Sequence, residues 1–113
     1  MWVVERKNKF ISGIFKSEAK LNKYLAEVKK AGQDTDLVIF ETKCSLYPIF
    51  ILENSHSNHR FSFFSAKASA LKFYEEEELN HGTLYTVTDD YVPPKAGTDY
   101  MGALHHDHLG DED

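Results

Sequence analysis

The sequence predicts an α+β fold: one mostly antiparallel sheet of about six strands, two helices on one face, and an irregular C-terminal arm. Three observations point there. Short β-branched and aromatic runs alternate with polar loops, two stretches carry helical periodicity, and the order strand–strand–helix–strand occurs twice. The repeat runs from Trp2 to Thr42 and again from Ile49 to Thr88, which suggests a duplicated ββαβ unit. Trp2-Val3-Val4-Glu5 lines up with Phe50-Ile51-Leu52-Glu53, Phe15 with Phe64, Ala19 with Ala68 and Tyr24 with Tyr74.

The first two strands are Trp2-Val3-Val4-Glu5-Arg6 and Phe10-Ile11-Ser12-Gly13-Ile14-Phe15, joined as a hairpin by the polar Lys7-Asn8-Lys9. Ser17 is a fitting N-cap, with Glu18 in the first turn where the helix dipole favours an acid. Leu21, Tyr24, Leu25 and Val28 then recur at helical spacing, and Lys29, Lys30 and Gly32 end a helix over roughly 17–31. Leu37-Val38-Ile39-Phe40-Glu41-Thr42 is the next strand, and residues 47–52 form another, with Pro48 at its start where a missing donor is tolerable. After the polar segment holding His56 and His59, Arg60-Phe61-Ser62-Phe63-Phe64 reads as a strand. Ser65 then caps a helix through Ala70, Leu71, Phe73 and Tyr74 to about Leu79, closed by Asn80-His81-Gly82. Thr83-Leu84-Tyr85-Thr86-Val87-Thr88 alternates and is β-branched.

This pattern sets a single domain over 1–88 and an arm over 89–113. Pro93 and Pro94 remove ladder donors, so the arm does not continue a central strand. Asp99 suits the cap of a short final helix that would put Met101, Leu104, His108 and Leu109 on one side.

Composition narrows the class. The chain of 113 residues is 42% apolar and 27% charged, ordinary for a globular domain and unlike a disordered or collagen-like one. A lone cysteine, Cys44, excludes an internal disulfide, and the start Met1-Trp2-Val3-Val4-Glu5-Arg6 lacks a secretory layout. The longest apolar run, 46–52, has seven residues and includes Pro48, too short to span a membrane. A cytoplasmic setting without membrane attachment is the expectation. The formal charge of −5 is unevenly spread: +5 over 1–30, −2 over 31–60 and −8 over 61–113. Net acidity disfavours a nucleic-acid backbone binder, whose affinity comes largely from basic surface.

Two clusters stand out as candidate sites. Glu75, Glu76, Glu77 and Glu78 crowd the end of the second helix, where the dipole favours cations and adjacent carboxylates repel. An exposed solubilising face would explain them. So would a surface kept for a cationic partner, with Asp89 and Asp90 reinforcing it if the chain returns alongside. The second cluster is His105-His106-Asp107-His108. On a helix, His105 and His108 share a face and make a speculative site for zinc, nickel or copper, against the simpler reading of a solvated tail.

Catalytic motifs are lacking: the sequence holds no nucleophile elbow, thiol pair, zinc-protease helix, P-loop or dinucleotide glycine pattern. Arg60-Phe61-Ser62-Phe63-Phe64 resembles the aromatic strand of an RNA-recognition motif, but Phe61 and Ser62 stand where glycines are wanted, and no helix separates it from the preceding strand. The expectation is therefore a non-enzymatic protein-binding module with no cofactor. An inhibitor or immunity-type protein that neutralises a basic enzyme such as a nuclease toxin fits the charge best. A small-ligand-binding or enzymatic domain is the alternative, with metal binding and RNA binding behind it.

Overall fold

The computed structural model describes residues 1–7, 10–33, 36–54, 60–79, 81–92, 101 and 104–110. It is α+β and divides into two compact units, one of Met1–Ser45 with Asp90–Ala103, the other of Leu46–Asp89 with Leu104–Asp113. Among the described residues, no helix is long and apolar enough to cross a membrane.

The first unit holds β1 (Trp2–Arg6), β2 (Phe10–Phe15), α1 (Glu18–Lys30) and β3 (Leu37–Glu41). Its sheet has the order β2-β1-β3, antiparallel throughout. A register shift between Val4 and Glu5 bends the β1–β2 ladder. Strand alternation sends Trp2 and Val4 toward α1, where Val4 and Phe15 pack with Leu21, Tyr24 and Val28. Along the outer edge of β2, Ile14 exchanges backbone bonds of 2.9 and 3.0 Å with Tyr91, and the Ile11 N–H points at Met101 Sδ from 3.1 Å. Beneath α1, the Tyr24 hydroxyl donates to the Ser12 carbonyl at 2.9 Å and lies 2.7 Å from Ser12 Oγ, so a buried polar pair is satisfied.

The second unit repeats the path with β4 (Ile49–Glu53), β5 (Phe61–Phe64), α2 (Lys67–Glu76) and β6 (Gly82–Val87), then adds β7 (His105–Leu109). Its order is β5-β4-β6-β7, again all antiparallel. In both units the first strand is central and the second and third flank it. The register repeats too. Trp2 pairs with Phe15 as Phe50 pairs with Phe64, the residues that the internal sequence comparison lines up. Each of those phenylalanines ends its strand and meets a helix ring, Phe15 with Tyr24 at 5.2 Å and Phe64 with Phe73 at 5.4 Å.

The expected single sheet of six strands is thus two sheets, of three and four strands. The physical reason lies in the central strands. β1 and β4 each have both edges hydrogen-bonded by their own unit's strands, so each ladder closes locally. The final helix is also corrected: His105 to Leu109 form a strand along the free edge of β6. Edge pairing satisfies a full ladder of backbone groups, more than a one-turn helix offers. Ser65 does not cap α2. Its N-cap is Ala66, with no side-chain bond.

Candidate functional site

The two helix ends differ in a way that locates the acidic run. At the end of α1, Gln33 N–H donates to the Val28 carbonyl at 2.9 Å and Gly32 N–H to Lys29 at 3.0 Å, with Gly32 at φ 71°. This is a Schellman closure with glycine in the left-handed position. α2 closes with the same two bonds, Leu79 N–H to Tyr74 at 3.2 Å and Glu78 N–H to Glu75 at 3.1 Å. Here the left-handed residue is Glu78, at φ 52°. A side chain in that conformation costs about 1–2 kcal/mol relative to glycine.

Glu75, Glu76, Glu77 and Glu78 are all exposed around this closure. Lys72 Nζ reaches Glu76 Oε1 at 3.7 Å, a solvent-exposed pair of small worth. Last-turn carbonyls, which form the negative end of the helix dipole, lie among these carboxylates. The run also borders a hollow of about 560 Å³, whose wall includes Leu52, Phe61, Phe73, Leu79 and Glu77, with Asn54 and Ser62 as polar groups. It arises where α2 ends over the strands: Leu52 and Ser62 are register partners on the helix side of β4 and β5. An apolar floor under a carboxylate rim is chemically suited to a long basic side chain, whose stem is apolar and whose head is charged.

Asp89, in the same unit, stands away from this cluster. Gly82–Val87 separates the helix end from Asp89 by roughly 16 Å of extended strand. Asp90 belongs to the first unit, where its Oδ1 accepts from Lys16 N–H at 3.0 Å and its Oδ2 lies 3.5 Å from Lys20 Nζ. There it lines a smaller hollow of about 330 Å³ with Phe15, Lys20, Lys23, Tyr24 and Glu27.

The histidine-rich segment is rearranged by becoming a strand. Alternation puts His105 and His108 on opposite faces, so the helical pairing does not form. His106 and His108 share a face instead, with ring centres 5.5 Å apart. Their cross-strand partners are Tyr85 and Thr83. The His106 ring lies 5.7 Å from that of Tyr85, whose hydroxyl donates to Glu53 Oε1 at 2.9 Å. Arg60 Nε donates to the other oxygen, Oε2, at 2.6 Å. Glu53, Arg60, Tyr85 and His106 therefore form a set that motif reading missed. Glu53 shares its strand phase with the buried Ile49 and Ile51, and Tyr85 shares its phase with Val87, so no local alternation marks either residue.

Among the described residues no group of three His, Cys, Asp or Glu side chains converges as a metal cage. Cys44 is buried, and its carbonyl accepts from the N-terminal ammonium at 2.6 Å. Phe61 is buried and Phe64 packs at a tilt against Phe73, so these rings pack within the unit. His56, His59, Pro93, Pro94 and Asp99 lie outside the described residues. Comparison of the chain with known protein families, with curated proteins and with solved structures finds no match.

Proposed function

We propose that the protein is a non-enzymatic protein-binding module that presents the acidic end of α2 to a basic partner. An inhibitory or immunity-type role toward a basic enzyme, such as a nuclease toxin, suits it. The observation that carries this reading is Glu78. A carboxylate occupies a left-handed position that glycine would fill without strain, at the helix end least favourable to negative charge. Stability alone does not account for that choice; a surface selected for charge does. Four carboxylates and the helix dipole would speed encounter with a cationic cleft, and the hollow beside them would seat one basic side chain after docking. A cytoplasmic setting accords with the buried free thiol of Cys44.

The test compares the native chain with a variant in which Glu75, Glu76, Glu77 and Glu78 are all glutamine. Both are immobilised and challenged with native cell extract. A basic protein should be retained by the native chain alone, associate faster at low ionic strength and lose activity when bound. Equal retention by the two chains removes the acidic surface from the account. The small-ligand alternative draws on the same hollow, whose volume falls within the usual range for such sites. It predicts that a bound small molecule raises the melting midpoint and that Phe73→Ala abolishes this rise.

A further inference from the structure

We propose that His106 and His108 make a two-imidazole site for a divalent late transition ion, of the class Zn²⁺, Ni²⁺ and Cu²⁺, on the outer strand of the second sheet. This goes beyond the acidic surface and does not depend on it. The two side chains sit two residues apart on β7, a spacing that strand alternation holds on one face. Their ring centres are 5.5 Å apart and their planes are inclined by 76°. A zinc–nitrogen bond of about 2 Å puts each ring centre about 3 Å from the ion, so two tetrahedral imidazole ligands stand about 5 Å apart.

Hydrogen bonding selects the tautomer that coordination needs. The Nδ1 of His106 lies 2.9 Å from the Leu104 carbonyl oxygen. A carbonyl only accepts, so this Nδ1 carries a proton, and in the neutral imidazole Nε2 is then the nitrogen with the free lone pair. Thr83 Oγ1 is 3.5 Å from Nδ1 of His108, a long contact that favours the same tautomer when the hydroxyl accepts. Such outer partners fix ring orientation in known metal sites. Below His106 the Tyr85 ring is tethered through its hydroxyl to Glu53, and Glu53 is held by Arg60. Both histidines are exposed, so water can complete the coordination sphere. His105 and Asp107 point to the other face and pair with each other, Nε2 to Oδ2 at 3.6 Å. They serve as an internal control.

Calorimetric titration of the metal-free full chain with zinc chloride and with nickel chloride tests this. One ion per chain is expected, and the thermal midpoint should rise because the folded state binds preferentially. His106→Ala and His108→Ala should each weaken binding about tenfold or more, whereas His105→Ala should leave it unchanged. All three positions are exposed, so the folded state survives each change, and circular dichroism verifies it. The proposal is overturned if the native chain takes up no ion, if His105→Ala costs as much as His106→Ala, or if the guanidinium-unfolded chain binds as tightly as the folded one. The last two results would assign the affinity to a flexible histidine run.

Discussion

α1 and α2 occupy the same place in the same ββαβ path, yet they are built to opposite rules. α1 begins at Ser17, whose Oγ accepts from Lys20 N–H, carries Glu18 in its first turn and Lys29 and Lys30 in its last, and closes on Gly32. It buries Leu21, Tyr24 and Val28. α2 begins at Ala66 with no capping side chain, has no acid in its first turn and no base in its last, closes on Glu78, and fully buries only Ala70. Every departure in α2 costs stability, and those at its C-terminal end add negative charge to one exposed surface. α1 is thus built as an anchor for its sheet, whereas α2 gives up part of its stability for a charged end.

Large-to-small substitutions in the two helices should break the comparison most forcefully. Leu21→Ala is expected to cost about 2–5 kcal/mol in urea denaturation, because it empties the centre of the first core. The half-buried Leu71, changed to alanine, should cost about 1–2 kcal/mol. Equal losses would mean that the helices anchor equally. Gly13 offers a parallel contrast with Gly82. An added Cβ at Gly13 would sit 2.7 Å from Phe15 Cε2 and 3.3 Å from Tyr24 Cε2, whereas at Gly82 the nearest atom is Leu52 Cδ1 at 3.3 Å. Gly13→Ala should therefore cost about 1–3 kcal/mol and Gly82→Ala distinctly less.

Exchanging the closures sharpens the contrast. Glu78→Gly should stabilise the protein by about 1 kcal/mol, and Gly32→Glu should destabilise it by about 1–2 kcal/mol, both read as shifts in the denaturation midpoint. If Glu78→Gly also slows capture of the proposed basic partner, stability and recognition are traded at that residue. At the other helix ends, Ser17→Ala should lose about 1 kcal/mol, and Ala66→Ser should gain about 0.5–1 kcal/mol by supplying the missing cap.

The smallest expected effect concerns the sheet edges. β7 covers the outer edge of β6, while among the described residues no strand covers the equivalent edge of β3, where Val38 and Ile39 are 41% and 43% exposed. Uncovered apolar edges invite pairing between chains. The double change Val38→Lys with Ile39→Lys should lower self-association in sedimentation while moving stability by no more than about 0.5 kcal/mol. Unchanged association would show that this edge is already protected.

Local patterns made much of the architecture legible. Ser17, Leu21, Tyr24, Val28 and Gly32 mark α1 from its first residue to its closure, because capping and amphipathic spacing act within a few turns. The β-branched and aromatic runs mark strands β1 to β6 within a residue or two. The site was less legible. The exposure of Glu75 to Glu78 follows from their charge, but the hollow beside them needs Leu52, Phe61 and Phe73 from three elements. Helical spacing pairs His105 with His108, whereas the strand pairs His106 with His108.

The α+β class, the repeated strand–strand–helix–strand order and the polarity of charge along the chain are all written in the amino-acid sequence. These depend on nearest-neighbour sterics, caps and counts of ionised groups, all of which are local. Long-range pairing sets the closure of the ladders as two sheets, the engagement of Asp90 by Lys16 and Lys20 in the first unit, and the folding of the histidine segment as β7. Each of those outcomes turns on which distant backbone edge is free to accept a strand or a carboxylate. Strand pairing of that kind carries no signature in the five or six residues that perform it.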